Sequence, residues 1–351
     1  MKGLYCILVA GLVTMSLAVT GCTPGAPMAA TAAPATTAAP AAPVATAAPT
    51  KAAGFPEKGK AITLNVPYAA GGATDIDSRV LGDLWGRELG VPVQIMNKPG
   101  ASSQIGMTEA ATAKPDGYTV VAIVLPGGVV PYLDPERKAT YTHKGFISLG
   151  NQWYTPSSIS VLSESPYKSV KDLVDAAKAK PGQVKIGSSG ASSSSGLAYL
   201  QFASVASVQF AGVYFDGGAP ALTALQGGHI DALFESVTVL TPHVKAGRVR
   251  VLGITDRQES SLAPGVPTLE SQGFPVFLSV YGGLAVPAGT PKEIVDVLSA
   301  TLKKTVESDE HKKKMAELGQ GQMYMTPEEF DKLWTEQESA VQPLIPLMKA
   351  K

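Results

Sequence analysis

The chain has 351 residues, with 29 basic and 29 acidic side chains and a formal net charge of zero. That balance argues against nucleic acid as a partner, since a phosphate lattice calls for a basic excess. The length predicts about two domains, and both cysteines, Cys6 and Cys22, lie at the N-terminus. The rest of the chain therefore has no disulfide framework, zinc cluster or thiol nucleophile.

Lys2, the apolar run Leu4 to Val19 and the small residues before Cys22 read as an export signal over 1–22. The run is short for a spanning helix, which needs about 20 residues. Leu17-Ala18-Val19-Thr20-Gly21-Cys22 resembles a bacterial lipobox, cleaved before a cysteine that is then lipid-modified. Acyl chains on Cys22 would hold the protein at a membrane surface, facing the periplasm or the cell exterior. Residues 23–54 consist almost wholly of Ala, Pro and Thr, with Lys51 the single charge. They cannot bury a core and read as a tether of up to ~100 Å, at ~3.1 Å per residue.

From Phe55 onward strand-like and helix-like segments alternate. Ile62–Pro67 is a β-branched run that turns on Gly71 and Gly72 into a helix carrying Ile76, Val80, Leu81, Leu84, Trp85 and Leu89. Thr74 fits its N-cap, with Asp77 as capping-box partner. A strand, a glycine turn and a helix N-terminus offer backbone N–H groups to an anion. Val91–Asn97 and Tyr118–Leu125 read as strands around a helix over Gln104–Ala113, and the alternation implies a parallel sheet.

The pattern restarts near Trp153–Glu164. Ser157–Ser163 is strand-like, Ser169–Lys180 an amphipathic helix, and Val184–Ser188 a strand running into Ser189 to Gly196, with a helix from about Leu197. Val208–Phe215 leads into the loop Asp216-Gly217-Gly218-Ala219-Pro220 and a helix over Ala221–Gln226. Asp231–Glu235, Val239–Ala246 and Val249–Thr255 complete a second α/β unit. Tyr281–Pro287 opens the tail, where Thr290-Pro291 and Thr326-Pro327 each predict a capped helix start. Two such units with facing loops make a cleft.

Catalysis finds little support. His143, His229, His243 and His311 show no metal spacing, and no G-x-S-x-G can be drawn through the serine loop. No metal or cofactor is expected. The loops at Gly71-Gly72, Ser192–Ser195 and Asp216–Ala219 instead suit a small polar ligand held by backbone amides and hydroxyls.

From Phe55 to about Val341 the chain resembles the extracytoplasmic solute receptors of tripartite tricarboxylate transporters, the Bug or tricarboxylate-receptor family. The matching pieces run in order: VPYAAGGATD, NKPGASSQIG, PDGYTVV, SSGASSSSGLA, DGGAPALTALQGGHID, PHVKAGRVRVL, LAVPAGTP and TPEEF. The resemblance implies a two-lobed type II periplasmic-binding-protein fold of the α/β class, a Venus flytrap. Its lobes would comprise 55–156 with 275–351, and 157–274. It also implies a non-enzymatic receptor that closes on a small organic carboxylate and hands it to a membrane transporter with a large and a small subunit. A monomer is the default.

Carried over by position, the resemblance implicates Tyr68, Gly71, Gly72, Ala73, Thr74 and Asp75 at one ligand carboxylate. The second lobe would add Ser192, Ser193, Ser194 and Ser195, the turn Asp216, Gly217, Gly218 and Ala219, and Glu235. An aromatic before the last long strand matches Tyr281. Several positions depart from the family pattern. Ala70 replaces a proline, Gly196 a histidine, Asp216 a lysine or arginine, and Glu235 an aspartate. Losing a cation and gaining an acid near the cleft points to a monocarboxylate with a polar or neutral far end. Two other functions share the pattern: a receptor reporting to a membrane sensor kinase, and a secreted hydrolase using Ser189 or Ser193.

Overall fold

The computed structural model describes residues 54–71 and 73–349. The expected export signal, Cys22, the tether as far as residue 53 and Gly72 lie outside the described residues. In the first stretch of chain the elements are β1 (Ile62–Val66), α1 (Ala73–Leu89), β2 (Val93–Asn97), α2 (Gln104–Ala111), β3 (Thr119–Leu125), α3 (Val130–Leu133) and β4 (Phe146–Thr155). The middle carries β5 (Ser157–Leu162), α4 (Val170–Ala179), β6 (Lys185–Ser188), α5 (Ser194–Ala206), β7 (Ala211–Tyr214), α6 (Gly218–Gln226), β8 (Ala232–Ser236), α7 (Val237–Lys245) and β9 (Val249–Ile254). The last stretch adds β10 (Val280–Pro287), α8 (Lys292–Val306), α9 (Asp309–Glu317), β11 (Gly321–Met325) and α10 (Pro327–Val341).

The strands form two sheets, ordered β11-β4-β10-β3-β1-β2 and β7-β6-β8-β5-β9. Only part of each is parallel, which corrects the all-parallel expectation. β1 pairs parallel with β2 and β3, but β10 lies antiparallel between β3 and β4. In the second sheet β6 is parallel to β7 and β8, while β5 runs antiparallel to β8 and β9. Local alternation of strand and helix cannot reveal that a strand from residue 280 onward fills the place between β3 and β4. The chain passes from the first sheet to the second at Pro156 and returns between β9 and β10. This is the two-lobed α/β fold.

Side-chain chemistry explains how the helices seat. Leu81, Leu84, Trp85 and Leu89 of α1 are buried, and the Trp85 indole N–H donates to Thr301 Oγ1 of α8 at 2.9 Å. Gly82 and Gly86 let α1 lie on β2, since a Cβ would meet Ile95 Cδ1 at 3.0 Å and the Val91 carbonyl at 3.1 Å. One apolar core runs from Val121 and Ile123 of β3 through Leu197 and Phe202 of α5 to Ile159 of β5 and Phe234 of β8. A second cluster, from Leu64 of β1 through Trp85 of α1 to Leu298 of α8, packs on the first sheet.

The helix starts divide. Thr326 caps α10 with Glu329 completing the capping box, as Thr326-Pro327 predicts, and Ser169 caps α4 in the same way with Asp172. Thr290 does not cap α8, because Pro291 holds that position and the Thr290 hydroxyl donates back to the Pro287 carbonyl at 2.7 Å. Thr74 does not cap α1, because the helix already includes Ala73. Among the described residues no helix is long and apolar enough to cross a membrane.

Candidate functional site

The loop after β1 is held by its own acid. The Gly71 N–H donates to Asp75 Oδ2 at 2.8 Å, Arg79 Nε donates to the same oxygen at 3.0 Å, and Asn97 Nδ2 donates to Asp75 Oδ1 at 2.9 Å. Asn97 Nδ2 also reaches the Tyr68 carbonyl at 3.2 Å. Arg79 foremost, with the Gly71 and Asn97 bonds, holds the Asp75 carboxyl down at about 2 against burial. Asp75 thus fixes the glycine turn, α1 and the end of β2 together. Gly71 gives its N–H to that latch, and neither residue lines the cleft.

The cleft itself holds about 670 Å³. Its first-sheet wall carries Tyr68, Ala73, Thr74, Ser102 and Gly127. Burial pushes the Tyr68 phenol up to about 12, with the Ser103 hydroxyl opposing. Ser102 belongs to a run, Ala101 to Ser103, with φ of 48, 54 and 79. Three successive non-glycine residues in the left-handed region store strain beside the cleft, a feature that no local rule predicts for Ala-Ser-Ser.

The second-sheet wall is the serine loop, the glycine turn and the end of β8. Ser193 caps α5: its Oγ accepts from the Gly196 N–H at 3.0 Å and donates to the Gly190 carbonyl at 2.7 Å. Ser195 Oγ accepts from the Ser189 N–H at 3.2 Å and lies 2.7 Å from Ser189 Oγ. The helix starts at Ser194, three residues before the expected Leu197, because this cap forms inside the serine run. At Gly196 a Cβ would lie 2.0 Å from the Gly190 carbonyl, so the tight loop has no room for the family's histidine there. Ser189 and Ser193 bond to other serines and to backbone, and no histidine or lysine activates either hydroxyl among the described residues. Across the cleft, the Gly127 N–H makes a long 3.4 Å bond to Ser194 Oγ.

Ser192 to Ser195, Asp216, Gly217 and Glu235 all line the cleft, whereas Gly218 and Ala219 do not. Gly218 supports Glu235 from behind, for a Cβ there would sit 2.8 Å from Glu235 Oε2. Glu235 is 7 % exposed; its Oε1 accepts from the Ser236 N–H at 2.8 Å and its Oε2 has no partner. Burial pushes its carboxyl up, opposed first by that N–H. Tyr281 faces the other way. Strand alternation puts Val280 in the cleft and Tyr281 behind it, stacked on Tyr154 with ring centroids 6.3 Å apart.

The aromatic in the cleft is Trp153 of β4, with Phe215 beside the glycine turn. Gly282 makes room for the indole, since a Cβ there would fall 2.0 Å from Trp153 Cε2. Sequence reasoning missed Trp153, Thr155, Ser157 and Gln320, which reach the cleft from the crossover strands and from the residue before β11. Their polar atoms carry the clearest signal. Trp153 Nε1, Thr155 Oγ1, Ser157 Oγ and Gln320 Oε1 are buried and unpartnered, as is Glu235 Oε2. Native interiors rarely leave such groups unpaired, and these five, of seventeen such atoms among the described residues, belong to residues lining one cavity.

The cleft's electrostatics come from backbone. Ala73 and Thr74 in the first turn of α1, Ser194 and Ser195 in that of α5, and Thr238 and Val239 in that of α7 all line it. Their free N–H groups present positive partial charge. Among the described residues that line it, none is Lys, Arg or His, and Asp216 and Glu235 are its acids. Asp77, one turn into α1, is buried; Gln320 Nε2 donates to its Oδ2 at 3.2 Å, and burial pushes its carboxyl up to about 7. The described residues contain no His, Cys, Asp and Glu cluster suited to a metal.

Known proteins share this architecture. Residues 78–349 match the model of the tripartite tricarboxylate transporter family receptor. A protein of Cupriavidus necator described as "UPF0065 protein in gbd 5'region" is 30% identical, covering 85% of this chain and 90% of the relative. A TctC solute binding protein from Polaromonas is 30% identical with a TM-score of 0.75, covering 83% of this chain and 99% of that one. MatC from Rhodopseudomonas palustris, solved with bound malate, is 26% identical with a TM-score of 0.68, covering 83% and 100%. A two-lobed fold, a cleft lined by helix N-termini and a match over most of its length lead to one conclusion: the chain belongs to the tripartite tricarboxylate transporter receptor family, whose members are solute-binding receptors and not enzymes.

Proposed function

We propose that the protein is an extracytoplasmic receptor that captures a small organic carboxylate between lobes 55–156 with 275–351 and 157–274. It then delivers the ligand to a membrane transporter with a large and a small subunit. The observation that carries this reading is the convergence of unpartnered buried polar atoms from Trp153, Thr155, Ser157, Glu235 and Gln320 on a cleft ringed by helix N-termini. Malate bound to MatC supports a carboxylate as the ligand class. Tyr68, Ala73, Thr74 and Ser192 to Ser195 meet the acid end through N–H and hydroxyl groups, with Gly71 and Asp75 shaping that loop. Rotation about the crossovers at Pro156 and between β9 and β10 closes the lobes. An acyl anchor at Cys22 and the Ala/Pro/Thr tether keep the receptor near its transporter.

The test is a melting screen of the purified protein against mono-, di- and tricarboxylates, preceded by native mass spectrometry for a retained ligand. A ligand at a hundred times its dissociation constant stabilises by about 2.7 kcal/mol. For a domain of this size that corresponds to a shift of about 5 °C. A screen in which no carboxylate moves the midpoint, with no small acid retained, would overturn the proposal.

A further inference from the structure

The two walls of the cleft differ in charge. On the first-sheet wall no acid lines the cavity: Asp75 is engaged by Gly71, Arg79 and Asn97, and Asp77 faces Gln320. On the second-sheet wall Asp216 and Glu235 both line it. Glu235 is more than nine-tenths buried; the Ser189 and Ser236 hydroxyls lie beside its carboxyl, its Oε2 makes no hydrogen bond of good geometry, and among the described residues no Lys, Arg or His lines the cleft to neutralise it. Glycine at 218 gives that oxygen its place, since a Cβ there would fall 2.8 Å from it. Glu235 Oε1 already takes the Ser236 N–H at the start of α7, so the acid occupies one helix end. The N-terminal turns of α1 and α5 remain for an anion.

We infer that the ligand is a small amino-carboxylate, whose carboxylate meets the N-terminal turns of α1 and α5 and whose ammonium is received by Glu235, with Asp216 beside it. This rests on the receptor function proposed above and sharpens the polar far end expected from the sequence into a cationic one. A buried carboxylate gains most from a partner that is both charged and a hydrogen-bond donor, and an ammonium is both. A second carboxylate on the ligand would face like charge in a site from which closure expels water.

The test compares probes that differ at one end: 4-aminobutyrate, 4-hydroxybutyrate and glutarate, with β-alanine and succinate as the shorter pair, each titrated calorimetrically into the wild-type protein. The amino-carboxylates should bind at least about tenfold tighter than their partners, the smallest preference a single group difference is asked to supply here. Glu235→Gln should abolish that preference, and Asp216→Asn, at an exposed position, should reduce it without affecting folding. Tighter binding of glutarate or succinate, equal binding of 4-hydroxybutyrate and 4-aminobutyrate, or a ratio unchanged in both variants would overturn the inference while leaving a carboxylate receptor intact. Binding of no carboxylate at all would overturn the receptor reading and this inference together.

Discussion

Asp77→Asn is expected to stabilise the protein at pH 8 and to do so much less at pH 4.5. Asp77 is 2 % exposed, takes one hydrogen bond from Gln320, and has its carboxyl pushed by burial from 3.8 up to about 7. The folded form therefore keeps a proton that the unfolded chain releases from about pH 4 upward. Stability contributed by this group is complete below the unfolded value and declines as pH rises through about 7. Three units at about 1.4 kcal/mol each set a ceiling of about 4 kcal/mol. The N-terminal turns of α1 favour the anion by about 0.3–1 kcal/mol, which brings the expected loss to about 3 kcal/mol. Asparagine keeps an acceptor for Gln320 and never ionises, so it should recover that amount at pH 8.

Urea unfolding of both proteins from pH 4.5 to pH 8.5 measures the effect as a difference, which matters because His311 has the opposite sign. That imidazole is fully buried and pushed down to about 4, so its contribution is lost as pH falls from 6.5. It cancels between wild type and variant. A difference that stays flat across the range, or a variant weaker than wild type at pH 8, would refute the assignment of a strained carboxyl to Asp77.

Gly196→Ala should cost about 2 kcal/mol or more and weaken ligand binding, because the new Cβ would press on the Gly190 and Ala191 carbonyls at 2.0 and 2.9 Å. Gly145→Ala, whose nearest neighbour would be 3.7 Å away, is the control, and equal melting of the two would contradict the reading of the serine loop. In a bacterial host, Cys22→Ser should move the exported protein from the membrane to the soluble fraction. Retention at the membrane would remove the lipid-anchor proposal.

Much of the fold was legible wherever a local rule fixes local structure. The apolar run Ile62 to Val66, the cap at Thr326 and the loops after β6 and β7 all act within a few residues of chain. For that reason Ser192 to Ser195, Asp216 and Gly217 could be named from strand–loop–helix succession, whereas Glu235 came only from the family resemblance. Thr290 shows the boundary of that logic. The residue type and the proline after it are right for a cap, yet its hydroxyl turns to the end of β10 and Pro291 takes the position.

Features that depend on distant pairing emerge only in the folded chain. A strand's two faces are known from sequence only up to parity, and parity is set by register with neighbours more than 100 residues away. β10 pairs with β3 and β4, and that register sends Val280 into the cleft and Tyr281 behind it. The same register brings in Trp153 and Thr155, and chain crossing adds Ser157 and Gln320. Local patterning alone specifies an α/β chain whose loops can hold an acid. Folding, which brings Gly71, Arg79 and Asn97 onto one carboxylate, turned Asp75 from a ligand candidate into the latch of its own loop. It also left Glu235 facing the cleft with an unpaired oxygen, because only there do segments remote in sequence decide which polar groups find partners.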